Sequence, residues 1–239
     1  MANLRITWLG HGGVLYRSPG DRWLWIDRWS GAPTYADAFR TPEQVDVVAP
    51  THGHFDHVGN DCDDVVELAQ AGGQVVTSHE MSVFLPTRGV DAVGMNKGGT
   101  FEAAGIKLTM VHAEHTGGIT LTHGEAEVTR DVGCWGWLIE FEDGTRVYHT
   151  GDTDLFGDMA LVRDRWQPSI AVLPIGGHYT MGPADAARAL RLIGAATVLP
   201  VHWGTFPALA GTPDQLASQT DANVLRLQPG DTWEATARL

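Results

Sequence analysis

The sequence predicts an α/β fold in which two β-sheets pack face to face and helices cover their outer sides. Two observations lead there. The first third of the chain is rich in short apolar, β-branched runs of strand length. Beyond it, such runs alternate with segments whose apolar residues recur at helical spacing. A third observation sets the organisation. No Pro-, Ser- or Gly-rich linker and no short-period repeat interrupts the 239 residues, so the chain reads as one domain, 1–239, with room for a substantial core.

Strands are predicted first at Arg5–Leu9, Val14–Arg17 and Trp23–Asp27, parted by the turns LGHGG and SPGD. Trp23 and Trp25 alternate at strand period, as do Trp135 and Trp137, so each pair puts both rings on one face; core packing is expected of them. Val45–Pro50 is a further strand. A helix follows over Asp61–Ala71, with Val65, Leu68 and Ala69 on one face, then strands at Gln74–Thr77 and Ile106–Val111. Strands Trp135–Phe141 and Arg146–Thr150 flank the turn EDG. The helix Leu155–Trp166 carries Met159, Val162 and Trp166 inward and leads to the strand Ile170–Pro174. The helix Pro183–Ile193 opens with proline in its first turn and stops at Gly194. The strand Thr197–Val201 precedes a last helix, Thr212–Gln219, with Thr212 as its N-cap.

Composition narrows the classes of function. A hydrophobic fraction of 43% indicates a globular chain. No apolar run approaches the roughly 20 residues of a membrane helix, and the start MANLRITWLGHGG resembles neither a signal nor a transit peptide. These features point to the cytoplasm. Cys62 and Cys134 form no CxxC pair and are expected as reduced, packed thiols. The net charge is −13, the only lysines are Lys97 and Lys107, and the arginines are scattered, so the basic footprint of a nucleic-acid binder is missing. The expected partner is a small-molecule substrate, with no nucleic acid and no membrane; a homo-oligomer is compatible with all of this.

The chemistry concentrates in THGHFDHVGN, residues 51–60. It sets His52, His54, Asp56 and His57 directly after the apolar run VDVVAP, where a strand should bend into a helix. Imidazole and carboxylate are good ligands for zinc and other divalent transition metals. One ion cannot easily use all four side chains around such a bend, whereas two ions a few ångströms apart can share them. Further donors lie at other strand ends: His115 in VHAEHTGG, Asp152 in YHTGDTD and His202 in LPVHWGTFP. Active sites of layered α/β proteins collect at such ends.

In their order these motifs resemble the metallo-β-lactamase superfamily. The segments TWLGHGGV, WLWIDRW, LPIGGHYTMGPADAA and PVHWGTFP are similar to its small metal-dependent hydrolases, among them relatives of L-ascorbate-6-phosphate lactonase. The likeness runs from about Leu4 to Pro207. It implies a four-layer αββα sandwich with a two-metal site in the cleft between the sheets. His52, His54 and His115 would hold one ion, Asp56, His57 and His202 the other, and Asp152 would bridge them. Zinc is expected first, and manganese or iron also suit a nitrogen and oxygen ligand set without thiolate.

Two such ions about 3.5–4 Å apart bring the pKa of a bridging water to near 7. The implied reaction is hydrolysis of a small-molecule ester, lactone, amide or phosphoester by that hydroxide. Asp56 would orient the nucleophile or carry a proton, and His178 would donate a hydrogen bond to the oxyanion. No GxSxG motif competes. A β-lactamase proper is disfavoured, because the best-known zinc β-lactamases have Cys where this chain has Asp152. A glyoxalase II-type thioesterase would need a helical C-terminal domain, and 37 residues follow His202 (239 minus 202). A non-catalytic metal-binding sensor or scaffold is the remaining alternative, set against by the full set of seven ligands. Asp27 is expected to hold the far nitrogen of a ligating histidine. His11 and His112 stay open between site and structural roles. His79 and His149 are expected to be structural and His123, in THGEAEVTRD, solvated.

Overall fold

The computed structural model describes residues 2–123 and 126–235, and at 121–123 and 126–127 the backbone alone. Its strands are β1 (Arg5–Gly10), β2 (Gly13–Arg17), β3 (Trp23–Ile26), β4 (Val47–Val48), β5 (Gln74–Ser78), β6 (Ala92–Met95), β7 (Thr100–Ala103), β8 (Ile106–His112), β9 (Gly118–His123), β10 (Ala126–Asp131), β11 (Trp135–Glu140), β12 (Arg146–His149), β13 (Ile170–Pro174), β14 (Thr197–Val201), β15 (Asn223–Val224) and β16 (Thr232–Glu234). Its α-helices are α1 (Phe55–Val58), α2 (Asp63–Gln70), α3 (His79–Phe84), α4 (Met159–Trp166), α5 (Pro183–Ile193) and α6 (Pro213–Ala217).

Two seven-stranded sheets result, in the orders β16-β1-β2-β3-β4-β5-β6 and β15-β14-β13-β12-β11-β8-β7. Each sheet is antiparallel at one end and parallel at the other: β3 to β6 are parallel in the first, β12 to β15 in the second. The period-2 alternation of strand side chains builds the layers. Trp135, Trp137 and Ile139 of β11 face the first sheet and pack with Trp8, Trp25 and Met110; Leu138, between them, faces α4 and α5 with Tyr148 and Leu173. On the far side of the first sheet, Val65 and Leu68 of α2 and Met81 of α3 join the same core. The result is the αββα sandwich. Among the described residues no helix is long and apolar enough to cross a membrane.

The elements depart from expectation where local chemistry outweighs apolar pattern. Val45–Pro50 contributes only Val47–Val48 as strand, although the flanking Asp46 and Ala49 N–H groups still donate to the Trp23 and Trp25 carbonyls, and the Asp46 carboxylate accepts the Trp23 N–H at 2.8 Å. Asp61 and Cys62 are left-handed, at φ 51° and 64°, so α2 begins at Asp63 rather than Asp61. The segment read as a polar stretch forms the hairpin β9–β10, paired only with itself. Ile119 and Leu121 alternate with Thr120 and Thr122 and pair with Arg130 and Val128, but this apolar alternation is short and broken by charged residues. Trp25, Trp135 and Trp137 are buried in the core, whereas Trp23 is half-buried beneath the Arg17 guanidinium, 5.6 Å from its ring.

Candidate metal centre

The seven candidate donors leave strand ends along one rim of the sandwich. His52 follows β4, His54 caps α1, Asp56 and His57 ride on that single turn, and His115, Asp152 and His202 follow β8, β12 and β14. Close backbone approach makes this convergence feasible. Gly151, just before Asp152, sits at φ +62°, and a Cβ there would stand 2.6 Å from that of Thr51. His202 is itself left-handed at φ 55°, and its N–H donates to the His11 carbonyl at 2.9 Å, which ties β14 of one sheet to the β1–β2 turn of the other.

Donor atoms fall into overlapping groups. His52, His54 and His115 form one; Asp56, His57 and His202, joined by His11, form a second; each group offers donors within 4.8 Å of one another. His52 Nε2 and His54 Nδ1 are 2.9 Å apart. Asp152 Oδ2 lies 3.1 Å from His202 Nε2, 3.4 Å from His57 Nε2 and 3.7 Å from His115 Nε2, so one oxygen reaches both groups.

Behind these side chains, Asp27 Oδ2 lies 2.9 Å from His57 Nδ1 and accepts the Thr51 hydroxyl at 2.6 Å, while Asp27 Oδ1 accepts the Thr51 N–H at 2.8 Å. This is the placement expected of a carboxylate that orients a ligating imidazole. His11 reaches Asp56 Oδ2 through Nε2 at 3.0 Å and Thr205 Oγ1 through Nδ1 at 2.9 Å. Its open status therefore resolves toward the site. Thr205 had no signal beyond its place in HWGTFP.

Buried charge is finely balanced. Burial opposes the protonation of His202, but the Asp152 and Asp56 carboxylates outweigh it and raise its pKa to about 9. His57 is raised likewise by Asp152 and Asp27 against its own burial. The same partners hold Asp152 well below the carboxylate range despite burial. Burial, then neighbouring His57, pushes His52 and His54 down, and burial lowers His11 to about 4.

The residues fit a bound metal on an observation of their own. His57 Nε2 and both ring nitrogens of His202 are buried yet make no hydrogen bond within the described protein. Most buried polar atoms in proteins are hydrogen-bonded. The Nε2 atoms of His57 and His202 face Asp152 within the donor cluster, as ligand atoms do.

The remaining expectations sort by contact. His178 is exposed, left-handed at φ 60° and 4.4 Å edge-on from the Tyr179 ring. Tyr179 rather than His178 lines the cleft over the donors. His112 is exposed between Lys97 at 3.3 Å and Glu114 at 3.2 Å and touches no candidate ligand. His149 is buried against the Tyr16 hydroxyl at 2.8 Å, and His79 is exposed on α3. The side chain of His123 lies outside the described residues. The cleft holds about 660 Å³ and is bordered by Phe55, Tyr179, Phe206 and Ala208 as well as by the donors. Phe55, Tyr179 and Phe206 fall within the quoted motifs, but no helical or strand period singled out these rim residues.

Comparison with known proteins agrees with this geometry. Residues 22–203 match the family described as the β-lactamase superfamily domain. A metal-dependent hydrolase of Herpetosiphon aurantiacus is 43% identical over 98% of both chains. One of Koribacter versatilis is 41% identical over 98% of this chain and 99% of its own. Among solved structures, Igni18, a metallo hydrolase of the archaeon Ignicoccus hospitalis, superposes with a TM-score of 0.82 at 29% identity, covering 98% of this chain and 99% of that one.

Proposed function

The chain belongs to the β-lactamase superfamily and is similar throughout to metal-dependent hydrolases; from that premise we propose that it is a dinuclear hydrolase of small-molecule esters, lactones or phosphoesters, acting as one domain in the cytoplasm. The observation that supports it most is the reach of Asp152 Oδ2 to His202, His57 and His115. His52, His54 and His115 would hold one ion and Asp56, His57 and His202 the other, with Asp152 common to both. Zinc suits the set best, with manganese and iron also compatible. When bound, such ions supply an acidified water and Lewis acidity at the bond under attack.

The chain's own residues do the rest. Asp27 fixes the ring of His57, leaving Nε2 free to face the centre. Asp56 stands at the cleft floor with His11 and Thr205 behind it. There it can orient the attacking water and pass its proton to the leaving group. The burial of His11 keeps that imidazole neutral, so its Nε2–H donates to Asp56 and its Nδ1 accepts from Thr205. His178, expected as an oxyanion donor, is exposed beside Tyr179 and does not line the cleft, so that role is not assigned to it. Metal analysis of protein purified without chelator, with a hydrolysis screen on the same sample, tests the proposal. Two equivalents with turnover support it, and a content that stays at or below one after reconstitution refutes the shared site.

A further inference from the structure

Resting on that hydrolase reading, we propose that the cleft selects a neutral ester or lactone bearing an apolar chain, with Phe55 and Phe206 as the residues that determine specificity. The apolar rim is rigid. Phe55 is 49% and Tyr179 59% exposed, so large aromatic faces stand in water at the mouth of the cleft. The Trp29 ring meets Phe55 edge-on at 5.4 Å and Phe206 at 6.0 Å, and the His11 ring lies 5.2 Å behind Trp29. The segment carrying Trp29 is pinned on both sides by Asp64, which accepts from the Arg28 guanidinium and from the Ser30 N–H, each at 3.0 Å. A wall held this way is preorganised for an apolar ligand.

Charge points the same way. Among the described residues no Lys or Arg lines the cleft, while Asp56 and Asp152 do. Together with Asp27 these carboxylates offset most of the charge that two divalent ions would bring. Two ions would themselves attract a phosphate ester, but the lining side chains add no cation of their own to clamp one. A carbonyl substrate needs none: its acyl–oxygen bond breaks, the oxygen of water ends on the acyl carbon and the leaving oxygen takes a proton.

The shape sets where the chain goes. A second cavity of about 610 Å³, bordered by Gly53, Gly59, Asn60, Asp61 and Ile119, shares Phe55 and Thr120 with the cleft. The Phe55 ring stands between the two, so an acyl chain leaving the donors is bounded by Phe206 and Phe55 on the cleft side.

The test compares p-nitrophenyl octanoate, p-nitrophenyl acetate and bis(p-nitrophenyl) phosphate, which share a leaving group, on metal-loaded wild type, Phe206→Ala and Phe55→Ala. Saturation-transfer NMR of 2-octanone, a neutral ligand that cannot be hydrolysed, is run on the same proteins before and after chelation, with thermal melts confirming that each variant folds. We expect the octanoate to exceed the acetate in kcat/KM by about tenfold, through KM. In Phe206→Ala that ratio collapses and transfer to the alkyl chain falls. In Phe55→Ala the optimum moves to the longer laurate ester. Equal use of acetate and octanoate, or faster cleavage of the phosphodiester, overturns the proposal and leaves the hydrolase reading standing. Chain-selective transfer that is lost in Phe206→Ala without turnover of any ester supports the apolar cleft and removes the hydrolase reading. Absence of both transfer and turnover overturns the two together.

Discussion

His57 shows how much of this site is decided one residue away from the donors. Its Nδ1 faces Asp27 and its Nε2 faces Asp152, so the ring is aimed before any ion binds. Asp27→Ala removes that aim and also frees the Thr51 N–H. We expect metal affinity to fall about 10–100-fold with the fold retained, as read by competition with a chromophoric chelator. Asp152→Ala should abolish hydrolysis and cost an ion, because it removes the charge that offsets repulsion between two dications. His178→Ala, at an exposed residue that does not line the cleft, should keep both ions and most of the turnover. Metal content and turnover of the two variants on one substrate decide between those roles. The pH dependence has a definite sign. In chelated protein the raised pKa of His202, about 9 against an ordinary 6.5, contributes stability below pH 6.5 that is lost as pH rises through 9. Melting temperature should therefore fall across that window in chelated protein. Metal uptake, which needs the ring neutral, should release protons and strengthen over the same range. At this scale the donors were legible in the sequence, because imidazole and carboxylate announce their chemistry by type and spacing. Phe55 and Phe206 were not, because an aromatic residue in a single helical turn or in a loop has no periodicity to place it.

Among the elements, the loops after the parallel strands β4, β12 and β14 place every candidate donor except His115, which follows the antiparallel β8, and these loops depend on glycines that lack side-chain atoms. A Cβ on Gly176 would stand 2.2 Å from the His202 carbonyl, and one on Gly151 would strike Thr51. Gly176→Ala should consequently lower both melting temperature and metal content, while Ala substitution at exposed Gly144, with nothing within 4 Å of its Cβ, should cost only the strain of its own φ of +82°. Thermal melts with metal analysis on the two variants check the contrast. The same scale marks the limits of pattern. The strands β8, β11, β13 and β14 and the helix α5 were legible because they are buried and strongly apolar or amphipathic. The hairpin β9–β10 was missed because its apolar alternation, Ile119, Leu121 and Val128, is short and is broken by the polar run HGEAE and by Arg130. The short helix α3 was missed because it spans one and a half turns and is announced only by its Ser78 cap, whose hydroxyl accepts the Met81 N–H at 3.2 Å.

For the whole molecule, the layers were legible from the succession of strand-rich and alternating segments, whereas the sheet order was not. Nothing local specifies that β11 pairs with β8 and skips the intervening hairpin, since that pairing is fixed by which faces both sheets bury. Two ions bound to the native state and absent from the unfolded chain should raise stability by about 4 kcal/mol for each ion supplied at a thousandfold excess over its Kd, as a shift in unfolding midpoint on chelation would register.

The donors of each group come from both sheets, and the sheets touch at the rim through His202 and His11. That division has a kinetic consequence. Residues 57 and 202, or 54 and 115, can face one another only after the two halves have docked, and we expect the rate-limiting barrier to be crossed before then. Metal present during refolding should leave the folding rate unchanged and slow unfolding instead, in the manner of an interaction absent from the transition state. Stopped-flow traces with and without zinc would show one limb of the chevron moving and the other still; a faster folding limb would mean that the ligands assemble early, before the sandwich closes.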